Sequence, residues 1–136
     1  MEIARITDKK ELLEAVKEFG LALKCASAKL KDDKEVVIEA VKAYGYSLRF
    51  ASERLRDDED VVMEAVKQSG SALGDASKRL QNDKNIVLEA MKNDGYALEY
   101  ASKKLRNDKE VVLAAVKNRE AALEFASKKL QKEMSI

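Results

Sequence analysis

The stretch DKEVVIEAVKAYGYSLRFASERLRD, residues 33–57, is one copy of a 25-residue unit that the chain repeats five times. Three kinds of residue mark the register of the copies: aspartates, glycines and leucines. They are Asp8, Asp33, Asp58, Asp83 and Asp108; Gly20, Gly45, Gly70 and Gly95; and Leu30, Leu55, Leu80, Leu105 and Leu130. A fixed period of roughly 20 to 50 residues indicates an array of one supersecondary unit stacked on copies of itself. The sequence therefore predicts a repeat protein.

Within one unit, the spacing of the apolar residues predicts two short helices. Positions 36, 37, 40, 41 and 44 are apolar and cover one broad face of a first helix. Asp33 is placed to cap this helix, and Gly45 is expected to end it in the left-handed conformation. A second helix is expected from about Tyr46 to Arg56, with Ser52 in its interior bonding a carbonyl one turn back.

The predicted fold is therefore all-α, an α-solenoid of five two-helix (helical hairpin) repeats of 25 residues each. The chain is interpreted as a single repeat domain, 1–136. Its units are 8–32, 33–57, 58–82, 83–107 and 108–132, and 1–7 form an N-terminal extension. The fifth unit has Glu120 in place of the usual glycine, which predicts either a turn centred on Asn118 or a helix that runs on through Glu120.

The unit resembles a known family. The pattern Asp-Lys-x-Val-Val-Leu-x-Ala-Val-Lys-x-x-Gly-Tyr-Ala-Leu-x-Tyr-Ala-Ser-x-x-Leu-Arg-x-Asp is similar to the tandem repeat catalogued as domain of unknown function 4116. Residues 83–108 and 33–58 carry the pattern most cleanly, and it covers about 8–131. The resemblance implies tandem arrays, often within larger microbial proteins, with no assigned activity and no catalytic or binding residue. Departures lie at Leu21, Cys25, Ser71, Gly74, Asp75 and Glu120.

The ionisable side chains predict no catalytic, cofactor or metal site. The chain has 26 basic and 25 acidic residues, a net charge of +1, and no histidine, so the commonest general base and metal ligand is missing. Cys25 occupies a position that holds large side chains in most other units, and it is interpreted as a small buried hydrophobe. The acidic run 57–60 lacks the glycine and the distant glutamate of a calcium loop and is interpreted as a helix cap. We therefore expect no enzyme.

Two columns of surface residues remain as candidate binding sites. The second helices end in basic residues, among them Arg54, Lys78, Arg79, Lys103, Lys104, Lys128 and Lys129. They form a ridge that suits phosphates but that we expect the capping aspartates to neutralise. The other column is aromatic, and it is interpreted either as packing between units or as a tyrosine-lined groove for a partner. The speculative partner-binding residues are Tyr46, Phe50, Asp75, Tyr96 and Tyr100, with Ser71, Gly74 and Asp75 interrupting the column in the middle unit.

The predicted function is that of a structural or interaction module, a helical-repeat scaffold that binds a protein partner or spaces other domains. The alternative is a nucleic-acid-binding array that uses the basic ends of the second helices. No signal peptide or membrane-spanning run is recognisable, which favours a cytoplasmic location or delivery into a host cytosol. The terminal units lack clear polar caps, and end-to-end self-association is a further expectation.

Overall fold

The computed structural model describes residues 5–135, and they form a row of short helices without a named strand. Each unit begins with a ten-residue α-helix. These long helices are Lys9–Glu18, Lys34–Ala43, Glu59–Gln68, Lys84–Asn93 and Lys109–Asn118. Each long helix packs on the long helix of the next unit. The predicted all-α solenoid is confirmed.

The second arm of each unit is not the continuous helix that the sequence predicts. It starts as a six-residue 3-10 helix, breaks, and ends in a short α-helix or turn. The 3-10 helices are Gly20–Cys25, Gly45–Phe50, Gly70–Asp75, Gly95–Tyr100 and Glu120–Phe125. The closing elements are Ala28–Lys31, Glu53–Arg56, Lys78–Gln81, the 3-10 turn Leu105–Asn107 and Lys128–Met134.

The break falls at the recurring Ala-Ser pair, because the serine joins neighbouring units. In unit 2, Ser52 is extended (φ −62°, ψ 158°), and its N–H donates to the Lys31 carbonyl of unit 1 at 2.9 Å. The Ser52 hydroxyl accepts from the Leu55 N–H at 3.3 Å and donates to Asp32 at 2.6 Å. The predicted serine inside a helix is wrong: the serine is the N-cap of the short helix.

Asp33 and its counterparts cap the long helices as predicted, the Asp33 carboxylate accepting from the Val36 N–H at 3.2 Å. The glycine prediction is wrong, since no described residue has a positive φ. The long helix of unit 2 ends instead at an extended Tyr44 (φ −156°). Glycine is needed there for close approach: a Cβ on Gly45 would lie 2.7 Å from the Ala65 carbonyl oxygen of the next unit.

The need for close approach also explains why the fifth unit can have Glu120 in place of glycine. Both predictions for this unit, a turn centred on Asn118 and a helix that runs on through Glu120, are wrong. Its long helix ends at Asn118, Arg119 is extended (φ −143°), and a 3-10 helix starts at Glu120, as in the other units. The turn itself does not require glycine. Glu120 is exposed, because among the described residues no sixth long helix presses on it. A sixth unit in the same register would meet the Glu120 side chain where the other seams admit only a hydrogen atom.

The core runs along the whole array and consists of small and branched aliphatic side chains. Val36, Ala40, Leu48 and Leu55 of unit 2 are fully buried, and their counterparts in units 3 and 4 belong to the same cluster, which extends from Leu12 to Leu130. Helices of about ten residues are too short to persist alone in water, so this burial between units holds them. None of the described helices is both long and apolar enough to cross a bilayer.

Replacing Leu80 with alanine tests the assignment of the core. Leu80 lies in the middle unit with no exposed surface, so Leu80→Ala is expected to lower the free energy of unfolding by about 2–5 kcal/mol. Urea denaturation measures this change. Leu113→Ala is the control, because Leu113 is 49% exposed in the last unit, and it is expected to cost less than about 1 kcal/mol. Similar losses in the two variants would contradict the assigned core.

A second prediction concerns the glycine of the seams. A Cβ on Gly70 would lie 2.5 Å from the Ala90 carbonyl oxygen, so Gly70→Ala is expected to destabilise the protein by about 1–3 kcal/mol through overpacking. Glu120→Ala, at the matching position of the fifth unit, is expected to be close to neutral. Thermal unfolding followed by circular dichroism compares the two. A stabilising Gly70→Ala, as glycine entropy alone would give, is the contrary result.

A third prediction follows from the acids of the seams. Hydrogen bonds from Ser52 and Arg54 hold the pKa of Asp32 below its ordinary value, and Ser77 and Arg79 do the same for the pKa of Asp57. A carboxyl with a lowered folded-state pKa binds fewer protons in the folded than in the unfolded protein. Its contribution to the free energy of unfolding is present above the ordinary pKa of about 3.9 and is lost as the pH falls through the folded-state pKa.

The double variant Asp32→Asn/Asp57→Asn should therefore lose less stability than the parent between about pH 6 and about pH 3. Urea midpoints at the two pH values measure the loss. A variant with Glu11→Gln and Glu14→Gln, at two exposed glutamates of the first unit, controls for the removal of two acids. An acid sensitivity unchanged by the asparagines would show that these two seams do not depend on ionised aspartate.

Candidate interaction surface

The five predicted partner-binding residues all lie on the 3-10 helices, rather than on α-helices. Tyr46 and Phe50 belong to Gly45–Phe50, Asp75 ends Gly70–Asp75, and Tyr96 and Tyr100 belong to Gly95–Tyr100. Tyr46, Tyr96 and Tyr100 are 37%, 39% and 38% exposed. Phe50 is partly buried against the core, and Asp75 is half-buried. The structure thus presents three tyrosines to solvent from units 2 and 4, on either side of the middle unit.

The small residues of the middle unit make room for Tyr100. Its ring lies over Gly74, where an added Cβ would be only 2.9 Å from the ring carbon Cδ1. The pKa of the Tyr100 hydroxyl is raised, first by the charge of neighbouring Glu99 and by burial, and then by Tyr46, Asp75 and Asp94. The 3-10 helices of units 2 and 3 contact each other, as do those of units 3 and 4, so these residues belong to one continuous face of the array.

Asp75 is the polar residue at this meeting place. Partial burial raises the pKa of its carboxyl, and the positive charges of Arg49 and Arg56 oppose that rise. In units 2, 4 and 5 the same position is held by Phe50, Tyr100 and Phe125. The middle unit therefore replaces an aromatic ring with a carboxylate that two arginines influence.

Tyr96 is held at the seam between units 4 and 5. Its ring meets Phe125 edge-on, with centroids 6.2 Å apart and an interplanar angle of 86°. The Arg119 guanidinium carbon lies 4.8 Å from the centre of the Tyr96 ring, and Arg119 Nε lies 3.2 Å from Asp94. Cation–π and ion-pair contacts therefore fix one face of Tyr96 and leave the rest of the side chain open to solvent.

Tyr44 is a further exposed tyrosine, although its spacing in the sequence predicts a place on the buried face of the first helix. Tyr44 is 43% exposed, because the extended backbone at this residue carries it off the helical face. Its ring lies 5.5 Å from that of Tyr46. A signal was available in the sequence: the corresponding residues of units 3, 4 and 5 are Ser69, Asp94 and Arg119, which are all polar.

Cys25 is exposed, so its interpretation as a buried hydrophobe is wrong. It ends a 3-10 helix, and Lys24 beside it reaches toward the Phe50 ring, 6.0 Å away. Among residues 5–135, no group of histidine, cysteine, aspartate or glutamate is arranged to hold a metal ion.

The acidic run 57–60 is a helix cap, as predicted. Asp58 accepts from the Asp60 and Val61 N–H groups at 2.9 and 3.1 Å. The other three carboxylates of the run pair with two cations of the neighbouring units 2 and 3. Asp57 and Glu59 pair with Arg79 at 2.9 and 3.3 Å, and Asp60 pairs with Lys34 at 2.9 Å.

The basic ridge is neutralised in only part of the array. Arg54 pairs with Asp32 and Arg79 pairs with Asp57, both at 2.9 Å. In the described part of the chain, by contrast, no ion pair involves Lys103, Lys104, Lys128 or Lys129. Among the described residues, neutralisation is therefore limited to Arg54 and Arg79, and it comes from Asp32 and Asp57 rather than from the capping aspartates that were expected.

Comparison with known proteins agrees with this architecture. A search of curated proteins and one of solved structures each found no match. The family model described as domain of unknown function DUF4116 matches residues 8–56, 33–81, 58–106 and 83–131. The windows overlap, and successive windows begin one 25-residue unit apart, at 8, 33, 58 and 83. The chain therefore belongs to the DUF4116 family of tandem helical repeats.

Proposed function

We propose that this chain is a non-catalytic scaffold that binds a protein partner through the 3-10 face of units 2 to 4. The observation that supports this most directly is the placement of Tyr46, Asp75 and Tyr100, exposed or half-buried, on the contacting 3-10 helices of three successive units. Tyrosine supplies a large contact area with few rotatable bonds and is frequent at binding hot spots. A half-buried carboxylate beside such rings would add selectivity for the group that a partner presents.

Other charged residues of the chain form contacts between units or cap helices, which supports a scaffold rather than an enzyme. The aspartates with lowered pKa values join neighbouring units or cap helices: Asp32 and Asp57 bind serine and arginine, and Asp33, Asp58 and Asp108 cap long helices. Lys9, Lys34 and Lys84 each reach the first turn of the next long helix. These charges stabilise the stack, and the tyrosine surface is left free for recognition.

A scaffold that only spaces other domains, or that binds its partner elsewhere, would not need these tyrosines. A second candidate function is binding of nucleic acid. The lysines of units 4 and 5 that make no ion pair favour it, because phosphate contacts come mainly from such side chains. We expect a cytoplasmic setting, or a host cytosol, for either function. End-to-end association of copies would need a register other than that of the internal seams, because of Glu120.

The tyrosine surface is tested with Tyr46→Ser, Asp75→Ala and Tyr100→Ala, made separately. Each variant is expected to retain a melting temperature near that of the parent and to capture the partner more weakly. Loss of a hot-spot residue corresponds to about 2 kcal/mol, or about thirtyfold in affinity. Quantitative affinity capture from a lysate of the source cells, with mass spectrometry, identifies proteins that the parent retains and the variants release.

The control is Leu113→Ser, which removes an apolar side chain that is 49% exposed on the long helix of the fifth unit, outside the 3-10 helices of units 2 to 4. It is expected to leave capture unchanged. The proposal fails if the three variants and the control retain the same proteins to the same extent. Capture that disappears with modest added salt in all variants, and that nuclease treatment abolishes, would instead support the nucleic-acid function.

A further inference from the structure

The seams of the array differ in charge although they share one hydrogen bond. Ser52 donates to Asp32, whereas Ser102 donates to Asn82 and Ser127 donates to Asn107, each at 2.6 Å. The serine is satisfied equally by a carboxylate or by an amide oxygen. The change from aspartate to asparagine therefore leaves the seam intact and removes a negative charge.

The cation beside the serine changes together with this acid. Arg54 and Arg79 lie next to Asp32 and Asp57, and each donates to the backbone carbonyl of its aspartate as well as to the carboxylate. At the matching positions units 4 and 5 have Lys104 and Lys129, and Asn82 and Asn107 take the places of the two aspartates. Units 2 and 3 thus carry ion pairs at this position, whereas Lys104 and Lys129, like Lys29 of unit 1, pair with no acid among the described residues.

These lysines belong to a larger group, here called the free basic cluster and defined as Lys103, Lys104, Arg106, Lys128 and Lys129. The four lysines are exposed. The Nε atom of Arg106 is shielded from solvent and has no hydrogen-bond partner in the described part of the chain. Arg56, at the same position two units earlier, has the same shielded Nε, so this feature recurs with the repeat and does not distinguish the cluster.

A cleft of about 420 Å³ opens beside this cluster, between units 3 and 4. Its walls include the Tyr100 ring and three cations, Lys78, Lys103 and Arg106, against the single acid Glu99. Gly74 helps to open it, because the corresponding residues of the other units are Lys24, Arg49, Glu99 and Glu124. The cleft therefore combines an aromatic wall with an excess of positive charge.

We propose that the free basic cluster and this cleft bind an acidic segment of a protein partner, with an apolar side chain against Tyr100. Carboxylates of the segment would meet Lys103, Lys104, Lys128 and Lys129, which lie at the same unit positions one repeat apart. A peptide can place an uncharged side chain beside Glu99 and its carboxylates on the lysines, whereas the backbone of a nucleic acid carries a charge at every nucleotide. The inference rests on the proposed function only in taking the partner to be a protein.

Fluorescence anisotropy with a labelled peptide tests this inference. The probe is rich in glutamate around one phenylalanine, and its comparator has lysine in place of every glutamate. The intact chain is expected to bind the glutamate peptide and not the lysine peptide. The variant Lys103→Gln/Lys104→Gln/Lys128→Gln/Lys129→Gln should bind about tenfold more weakly, at a few tenths of a kcal/mol per exposed contact. The charge-matched control is Lys17→Gln/Lys42→Gln/Lys67→Gln/Lys117→Gln, at exposed lysines of the long helices, which should bind as the parent does.

A second variant changes the charge and keeps every lysine. The double variant Asn82→Asp/Asn107→Asp should give Lys104 and Lys129 the acid that Arg54 and Arg79 already have, and so weaken binding of the glutamate peptide. Both substitutions keep the oxygen that accepts from Ser102 and Ser127, and circular dichroism should show unchanged folding. Weakening by the lysine variant and by the aspartate variant, with the control unaffected, supports the proposal.

Three results would overturn it: no binding of the glutamate peptide, equal weakening by the control variant, or tighter binding of single-stranded oligothymidylate than of the peptide. The last result would assign the cluster to nucleic acid. Failure here is separable from failure of the tyrosine surface. Loss of peptide binding in the lysine variant, together with partner capture unchanged by Tyr46→Ser, Asp75→Ala and Tyr100→Ala, would retain this inference and reject the earlier one.

Discussion

The N–H of one serine in each unit, donated to a carbonyl of the unit before, is the constraint on which the array depends. For Ser27, Ser52, Ser77, Ser102 and Ser127 the acceptor lies 21 residues earlier, on Ile6, Lys31, Arg56, Gln81 and Arg106. An amide that points to the previous unit cannot also donate within its own helix. The second arm must therefore break, and its first half tightens into a 3-10 helix that carries the tyrosines. The stacking contact and the shape of the candidate surface have the same cause.

A second constraint is the distance between neighbouring backbones, which the glycine column sets. At Gly20, Gly45, Gly70 and Gly95 the carbonyl of the next long helix occupies the space of a side chain. Asn93 and Asn118 use this proximity: each accepts from the glycine N–H and donates to a carbonyl at the end of the previous long helix. The free carbonyls at those helix ends are thereby satisfied by the next unit rather than by a cap of their own.

The sequence predicted what repeats and depends on local pattern: the 25-residue period, the all-α class, the aspartate caps and the buried leucines. It did not predict the break at Ser52, because serine is compatible with a helix interior and with a cap, and only the previous unit decides between them. The end of the long helix at Gly45 was predicted correctly, but for the wrong reason, since a glycine at a helix end also suits a left-handed turn. The tyrosines were identified as a column, whereas their exposure and the place of Tyr44 depend on the 3-10 geometry.

In an array of this kind the units share one backbone structure, so any recognition of a specific partner depends on the residues that differ between units. Each seam needs the serine, the close backbone contact and an oxygen to accept from the serine hydroxyl, and aspartate or asparagine serves equally for the last. Exchanges that leave these requirements intact are free to change the surface. Gly74, Asp75, Asn82 and Asn107 are such exchanges, and together they set a cleft and unpaired lysines beside exposed tyrosines. The departures from the repeat therefore lie where recognition is proposed, and the repeated residues account for the fold.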